Sequence, residues 1–371
     1  MLKGRATSEG TAAYAVWHQP PAVAGHFRQA STGLTLSSLG LGTYLGALDD
    51  ATDAAYQAAM ERALALGCNL IDTAVNYRLQ RSERAVGRAL AAAVRRGEDS
   101  REEVVISSKG GFVPFETATP SDPRRWVYEH YIESGLVHPN EFAASYQHCL
   151  APDFLDAMIE TSRRNLGVET IDLYYLHNPE TQRISNTRET FRRRMLDAFE
   201  TLEDAVSRGA VASYGIATWT ALRSPPDVPD YLSLTELYGL AFEVAGEAHH
   251  FTAVQMPYNL VMIEAFALVN QQVGDAFYSA IDAALELGLT VVTSAALKQG
   301  VLASPFMADL SPYFPGLTSD AQRALQFARS TPGVTTTLVG MSSPAHVEEN
   351  LALAAHPPTS PGVIRSLFPE G

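Results

Sequence analysis

Four polar residues stand where apolar runs stop. Asp72 closes Asn69-Leu70-Ile71-Asp72, and Tyr77 follows five residues later. Lys109 closes a third run within Ser107-Ser108-Lys109-Gly110, and His177 ends Asp172-Leu173-Tyr174-Tyr175-Leu176-His177. If each run is a parallel strand, a carboxylate, a phenol, an ammonium and an imidazole collect at one end of a sheet. An ammonium beside a phenol stabilises the phenolate and lowers a pKa that is otherwise about 10. A carboxylate beside the ammonium keeps it charged and in place, and an imidazole nearby can donate or accept a hydrogen bond. Such a set suits proton donation to oxygen, which general acid catalysis accelerates by roughly 10²–10⁴. Singly, each residue has a plainer role: Asp72 as a helix N-cap, Lys109 as a solvated surface lysine, His177 as a satisfied core imidazole, Tyr77 as a packed aromatic. Their repetition at successive run ends carries the reading.

The elements that would position them recur along the chain. A helix-period stretch ends at glycine, and an apolar run begins a few residues later. Residues 50–66 precede Gly67, 152–166 precede Gly167, and Met195, Phe199, Leu202 and Val206 share a face before Gly209. Phe277, Ile281, Ala284 and Leu285 repeat the pattern before Gly288. Asp49, Asp50 and Asp53 supply capping and first-turn acids, and Gly67 suits a left-handed position past a helix end. The apolar runs are continuous rather than alternating, as in strands buried on both faces. Strand candidates at 39–43, 69–72, 103–108, 171–176, 211–217, 252–257, 289–294 and 335–340, with helices between them, predict one (β/α)8 barrel domain over residues 1–371. A doubly wound open sheet is the alternative.

Two regions break the rhythm. Residues 110–150, rich in proline, glycine and aromatics, form a long insert after the third strand and a candidate lid, or else a packed surface excursion. The ends, including the tail 355–371, are rich in proline and glycine. Residues 26–38 form a candidate hairpin across the barrel floor, turning at Ser31-Thr32-Gly33.

The 371 residues are 46% hydrophobic and 18% charged, enough apolar material for a large core without staples. The formal net charge of −14 disfavours nucleic acid and anionic membranes as partners. Cys68 and Cys149 cannot build a disulfide framework, and Cys68 reads as a small core residue. The sequence has no apolar run of membrane-spanning length and no signal-peptide pattern at its start, so a cytoplasmic location is expected. His138, His148 and Cys149 lack metal-ligand spacing, and no metal is expected. Gly40-Leu41-Gly42 with Gly46 resembles a dinucleotide loop, but its glycines and the acid Asp72 fall at the wrong intervals.

Asn69-Leu70-Ile71-Asp72-Thr73-Ala74-Val75-Asn76-Tyr77, followed by Ser82-Glu83 and Gly87, resembles the aldo-keto reductase signature. The resemblance continues through the lysine run, through 172–177, through Gln255-Met256-Pro257-Tyr258-Asn259, and from Gly340-Met341-Ser342-Ser343 to Glu349-Asn350. It implies NADPH- or NADH-dependent reduction of a small-molecule aldehyde or ketone on a (β/α)8 barrel. Tyr77 is then the acid, Asp72 and Lys109 support it, and His177 completes the tetrad. The resemblance also implies a cofactor site at Thr43, Thr218, Gln255, Gly340, Ser342, Ser343, His346, Glu349 and Asn350, with Tyr44 and Trp219 lining the substrate pocket.

The chain departs from the family in several places. Ala217-Thr218 stands where Ser-Asn usually holds the nicotinamide amide, and Thr293-Ser294-Ala295-Ala296 offers no stacking aromatic. Gly340 or Met341 and His346 occupy positions where NADPH users place lysine and arginine, and neutral histidine pairs phosphate more weakly than arginine does. A helix starting near Pro344 would offer its N-terminal amides instead. Arg78 after Tyr77 suggests added positive charge at the mouth. Cofactor preference, substrate and oligomeric state stay open, as do two other readings: a nucleotide-binding sensor or assembly barrel with little turnover, and non-redox chemistry at the same mouth.

Overall fold

The computed structural model describes residues 1–97, 99–304 and 309–368, so residues 369–371 of the tail lie outside the described residues. Eight strands build the wall: β1 (Leu39–Gly42), β2 (Leu70–Asp72), β3 (Val105–Gly110), β4 (Leu173–His177), β5 (Tyr214–Ala217), β6 (Phe251–Pro257), β7 (Thr290–Ser294) and β8 (Thr336–Gly340). Each pairs in parallel with the next, and β8 closes on β1 with Leu338 opposite Gly40, completing a barrel. The helices after them are α1 (Asp50–Ala65), α2 (Arg81–Arg96), α3 (Pro152–Leu166), α4 (Arg188–Ser207), α5 (Leu234–Ala245), α6 (Ala280–Glu286), α7 (Asp320–Ser330) and α8 (Pro344–Leu351).

The expected caps form. The Asp49 carboxylate accepts from Thr52 N at 2.7 Å, and Gly67, Gly167 and Gly209 take φ of +87°, +67° and +73° after α1, α3 and α4. One helix reading needs correction. Phe277 is not on α6 but on an edge hairpin that precedes it, Val269–Val273 paired with Ala276–Ser279, and it is 64% exposed. Its i+4 spacing to Ile281 crosses from strand to helix, which periodicity cannot distinguish.

Side chains of β1, β2, β3 and β4 such as Leu41, Ile71, Ile106 and Leu176 pack outward against the helices in the main core. The hairpin Phe27–Gln29 with Thr35–Ser37 places Ala30 and Leu36 against Leu70, Val105, Val292 and Leu338, sealing one end of the barrel. His26 anchors that floor between the Gly67 carbonyl (3.0 Å) and Ser38 Oγ (3.1 Å). Burial lowers its pKa to about 4. The unfolded chain therefore takes a proton near pH 6.5 that the folded chain refuses until about 4. The stabilisation is complete above 6.5 and declines as the pH falls. This single group is expected to reduce folding stability by about 2 kcal/mol between pH 7.5 and 5. Urea unfolding should show the loss, and it should shrink in His26→Asn; an identical pH slope in the variant would refute it.

The motif Ser82-Glu83…Gly87 fixes α2. Ser82 Oγ donates to Thr43 O at 2.7 Å, and Glu83 accepts from Ser108 Oγ at 2.6 Å and Asn165 Nδ2 at 2.9 Å. A Cβ on Gly87 would lie 2.5 Å from the Leu166 carbonyl oxygen, so this close helix contact requires glycine. Between β3 and α3 the chain forms a short helix (Pro123–Val127), one π turn and a two-residue ladder, Phe142–Ala143 with His148–Cys149. Val113, Val127, Tyr131 and Val137 form a small core there with Val75, Phe154 and Met158. This segment is packed, and it rests on the loop after β2.

Candidate active site

The strand register gathers the polar residues at one mouth. Asp72 lies opposite Ser107, Lys109 opposite Tyr175, and His177 opposite Ala217. Lys109 Nζ sits 2.5 Å from Asp72 Oδ2 and donates to Thr73 O at 2.9 Å. The other Asp72 oxygen accepts from Ser107 Oγ (2.7 Å) and Gln255 Nε2 (2.9 Å). This pair is buried, and its remaining lone pairs are satisfied, as a buried ion pair requires. Burial opposes the Lys109 charge, but the Asp72 carboxylate and the Tyr77 phenol outweigh it and raise its pKa. Lys109 is therefore an ammonium at neutral pH.

Tyr77 rides the turn after β2, its backbone N–H bonded to Ala74 O, with its ring centroid 4.9 Å from Lys109 Nζ. The Tyr77 and His177 rings meet edge-on at 5.8 Å between centroids. Burial pushes the phenol above its ordinary value, and the Lys109 charge pulls it back only in part. The expected lowering is thus outweighed by desolvation. The consequence is a phenol that keeps its proton at neutral pH, beside a cation that favours its ionised form. His177 is held neutral by burial, with the Lys109 charge acting in the same direction, and its Nδ1 has no hydrogen-bond partner among the described residues.

The other expected site residues stand on or just after strands β1, β5, β6 and β8 and on α8. Thr43 Oγ1 donates to Asp72 O at 3.1 Å. Gln255 is committed to Asp72 by its amide nitrogen. Thr218 follows β5, and its buried hydroxyl has no hydrogen-bond partner among the described residues. Gly340 ends β8, Ser342 follows, and Ser343 caps α8 by accepting from His346 N at 3.4 Å. His346 and Glu349 are exposed on α8, whereas Asn350 is buried. Tyr44 is 56% exposed with its ring 5.0 Å from that of Tyr77, and Trp219 is 46% exposed at the β5 exit.

Arg78 corrects one expectation. It adds no free charge to the mouth, because its guanidinium is buried against Asp53 (2.8 Å), the Ala47 carbonyl and the Tyr56 ring. Ser107 was legible but overlooked: two residues before Lys109 on a strand, it faces the same side. Phe112, whose ring lies 5.0 Å from that of His177, and His148, bonded to the His177 carbonyl, carry no sequence signal of their own.

Comparison with known proteins gives the lineage. The family model described as "Aldo/keto reductase family" matches residues 38–304. A D-threo-aldose 1-dehydrogenase from Pseudomonas sp is 31% identical over 198 residues, 51% of this chain and 52% of that protein. An aldo-keto reductase from Mycobacterium marinum is 32% identical over 146 residues, 39% of this chain and 48% of that protein. The chain thus spans about half the length of the curated relatives it matches. Among solved structures, the holo form of aldo-keto reductase AKR11C1 from Bacillus halodurans superposes with a TM-score of 0.63 at 20% identity, covering 92% of this chain and 95% of that one. An aldo/keto reductase from Klebsiella pneumoniae in complex with NADP and acetate gives 0.60 at 20% identity, covering 92% and 94%. At that identity the likeness is one of fold. Because the family model spans most of the residues, the barrel strands β1 to β7 and the Asp72–Lys109–Tyr77–His177 mouth among them, this chain belongs to the aldo/keto reductase family.

Proposed function

We propose that the chain is an NAD(P)H-dependent oxidoreductase that reduces an aldehyde or ketone to an alcohol, with Tyr77 as the proton donor. The observation that carries this is the packing of a protonated phenol against a buried, carboxylate-paired ammonium and a neutral imidazole. Membership of the family supports the reaction class, and the NADP held by the Klebsiella protein supports the cofactor class. When bound, the nicotinamide supplies a hydride to the carbonyl carbon. The protein's part is to orient the carbonyl oxygen toward Tyr77 and His177. The phenol proton passes to that oxygen as negative charge develops on it, Lys109 stabilises the phenolate, and solvent restores the proton.

The residues present fit such a cofactor. Thr218 Oγ1 is a buried polar atom with no partner among the described residues, at a position proposed to meet the nicotinamide amide. After β8, Ser342 and the start of α8 follow Gly340, on which a Cβ would meet no atom of the described residues within 4 Å. Thr43, Gln255, Glu349 and Asn350 complete the proposed cofactor set. With His346 in place of an arginine, the 2′-phosphate gains less, so NADPH and NADH are both admitted.

Tyr44 and Trp219 line the substrate side, and Phe112 leads residues 113–140 away from His177 as a candidate determinant of substrate range. Nucleotide oxidation at 340 nm against aromatic and aliphatic aldehydes tests the proposal. Carbonyl-dependent consumption is expected. Tight nucleotide binding with no consumption across the panel would instead mark a binding module.

A further inference from the structure

His148 is a buried imidazole with no part in the proton transfer described above, yet it touches the reacting centre through the backbone. It belongs to the short ladder His148–Cys149 that ends the segment after β3. Its Nε2 lies 2.7 Å from the carbonyl oxygen of His177. Its Nδ1 lies 3.1 Å from Nε2 of Gln182, on the short helix Glu180–Ser185. The Gln182 amide oxygen accepts from Arg194 Nη1, on α4. Arg194 is fixed in turn by the Asn140 carbonyl and by Glu141 at 3.0 Å.

Donor arithmetic gives this chain one direction. Arginine has donors only, so the group of Gln182 that faces it must be the oxygen. The Gln182 nitrogen then faces His148 and donates to Nδ1. Burial lowers the His148 pKa to about 4, so the ring carries one proton at neutral pH, and that proton sits on Nε2. Nε2–H donates to the His177 carbonyl. Three hydrogen bonds thus run from Arg194 to the His177 peptide in one sense, an arrangement in which each bond polarises the next.

The far side of the same peptide is held as well. Asn178 N donates to Ala217 O at 2.6 Å, and Asn178 takes φ of +48°. With both faces of the peptide bonded, the His177 side chain leaves a fixed backbone. Phe112 fills the angle between the two imidazoles, 4.9 Å from His148 and 5.0 Å from His177. Gly111 makes room: a Cβ there would lie 2.9 Å from His148 Nε2 and 3.0 Å from the His177 oxygen, wedging the bond apart.

We propose that His148, oriented by Gln182 and Arg194, is a positioning residue that holds His177 at the angle needed to bind the substrate carbonyl oxygen. This rests on the reductase reading given above. At metal sites, loss of a hydrogen bond that orients a ligating histidine typically costs about 10- to 100-fold, and a loss of that order is expected for this one.

The test uses the full chain. His148→Leu should lower kcat by about 10- to 100-fold with little change in KM or nucleotide Kd. His148→Gln, whose amide nitrogen can still donate to the carbonyl, should recover most of that loss. Histidine-selective 15N spectra should show His148 as the Nε2–H tautomer, and the His177 ring signals should shift or broaden in His148→Leu. Wild-type kcat with unmoved His177 signals in His148→Leu would overturn the proposal, as would an Nδ1–H tautomer. Should His148→Leu fail to fold, Gln182→Met serves: reduced kcat with shifted His148 and His177 ring signals supports the relay, and an unchanged rate with unmoved signals refutes it. If the wild-type chain reduces no carbonyl, the reductase reading fails, while the ring spectra still decide whether His148 holds His177.

Discussion

Replacing Tyr77 by phenylalanine is expected to lower the rate of carbonyl reduction by roughly 10²–10⁴-fold, with nucleotide affinity little changed. The substitution removes one hydroxyl and keeps the ring, so the edge-on contacts with Tyr44 and His177 persist. Among the described residues, Thr43 and Gln255 bond to Asp72 and Ser343 to His346 rather than to the phenol. His177 cannot take over, because burial and the Lys109 charge keep it unprotonated at neutral pH. Lys109 cannot either, since both its nearest acceptors, Asp72 and Thr73 O, belong to the protein. Steady-state kinetics with a reactive aldehyde, together with nucleotide titration by fluorescence, would check both halves. Near-wild-type turnover would show that another acid operates.

Asp72→Asn should be the most disruptive single change to stability in the site. The carboxylate balances an ammonium only 1% exposed and accepts from Ser107 and Gln255 as well. An amide of the same shape leaves that charge unpaired, and breaking a buried pair from one side costs about 3–5 kcal/mol. Lys109 can escape the penalty only by releasing its proton. With the Asp72 charge gone, burial dominates, so its pKa drops from above the ordinary lysine value toward the working range. Residual activity of the variant should therefore fall as the pH is raised through neutrality, whereas Lys109 in the wild type stays charged there. Urea unfolding and a pH–rate profile measure the two effects. A stability loss below about 1 kcal/mol would mean the pair is far more solvated than its burial indicates.

Much of this was legible in the sequence because strand ends and helix caps are local. A glycine after a helical period marks where a helix stops, and a charged residue after an apolar run marks where a strand leaves the core. Asp72, Lys109 and His177 are readable for that reason, and parallel register then brings them together. Phe277 was misplaced because a hairpin inserted before α6 continues the same apolar spacing. Arg78 was misjudged because its partner Asp53 lies 25 residues away, in the first turn of α1. The direction of the Tyr77 shift needed burial, which no spacing reports. The Arg194–Gln182–His148 relay joins three elements whose adjacency exists only once the segment after β3 folds back on the barrel.

In the proposed reaction, hydride and proton reach one carbonyl from two sources, a nicotinamide and Tyr77. Turnover of an aromatic aldehyde with NADPH deuterated at both C4 positions, followed by mass spectrometry of the alcohol, tests it most directly. The account predicts one deuterium on the carbinol carbon when the reaction is run in ordinary water, and almost no labelled product from Tyr77→Phe. Product formed at full rate without deuterium, or formed with no nucleotide present, would contradict it.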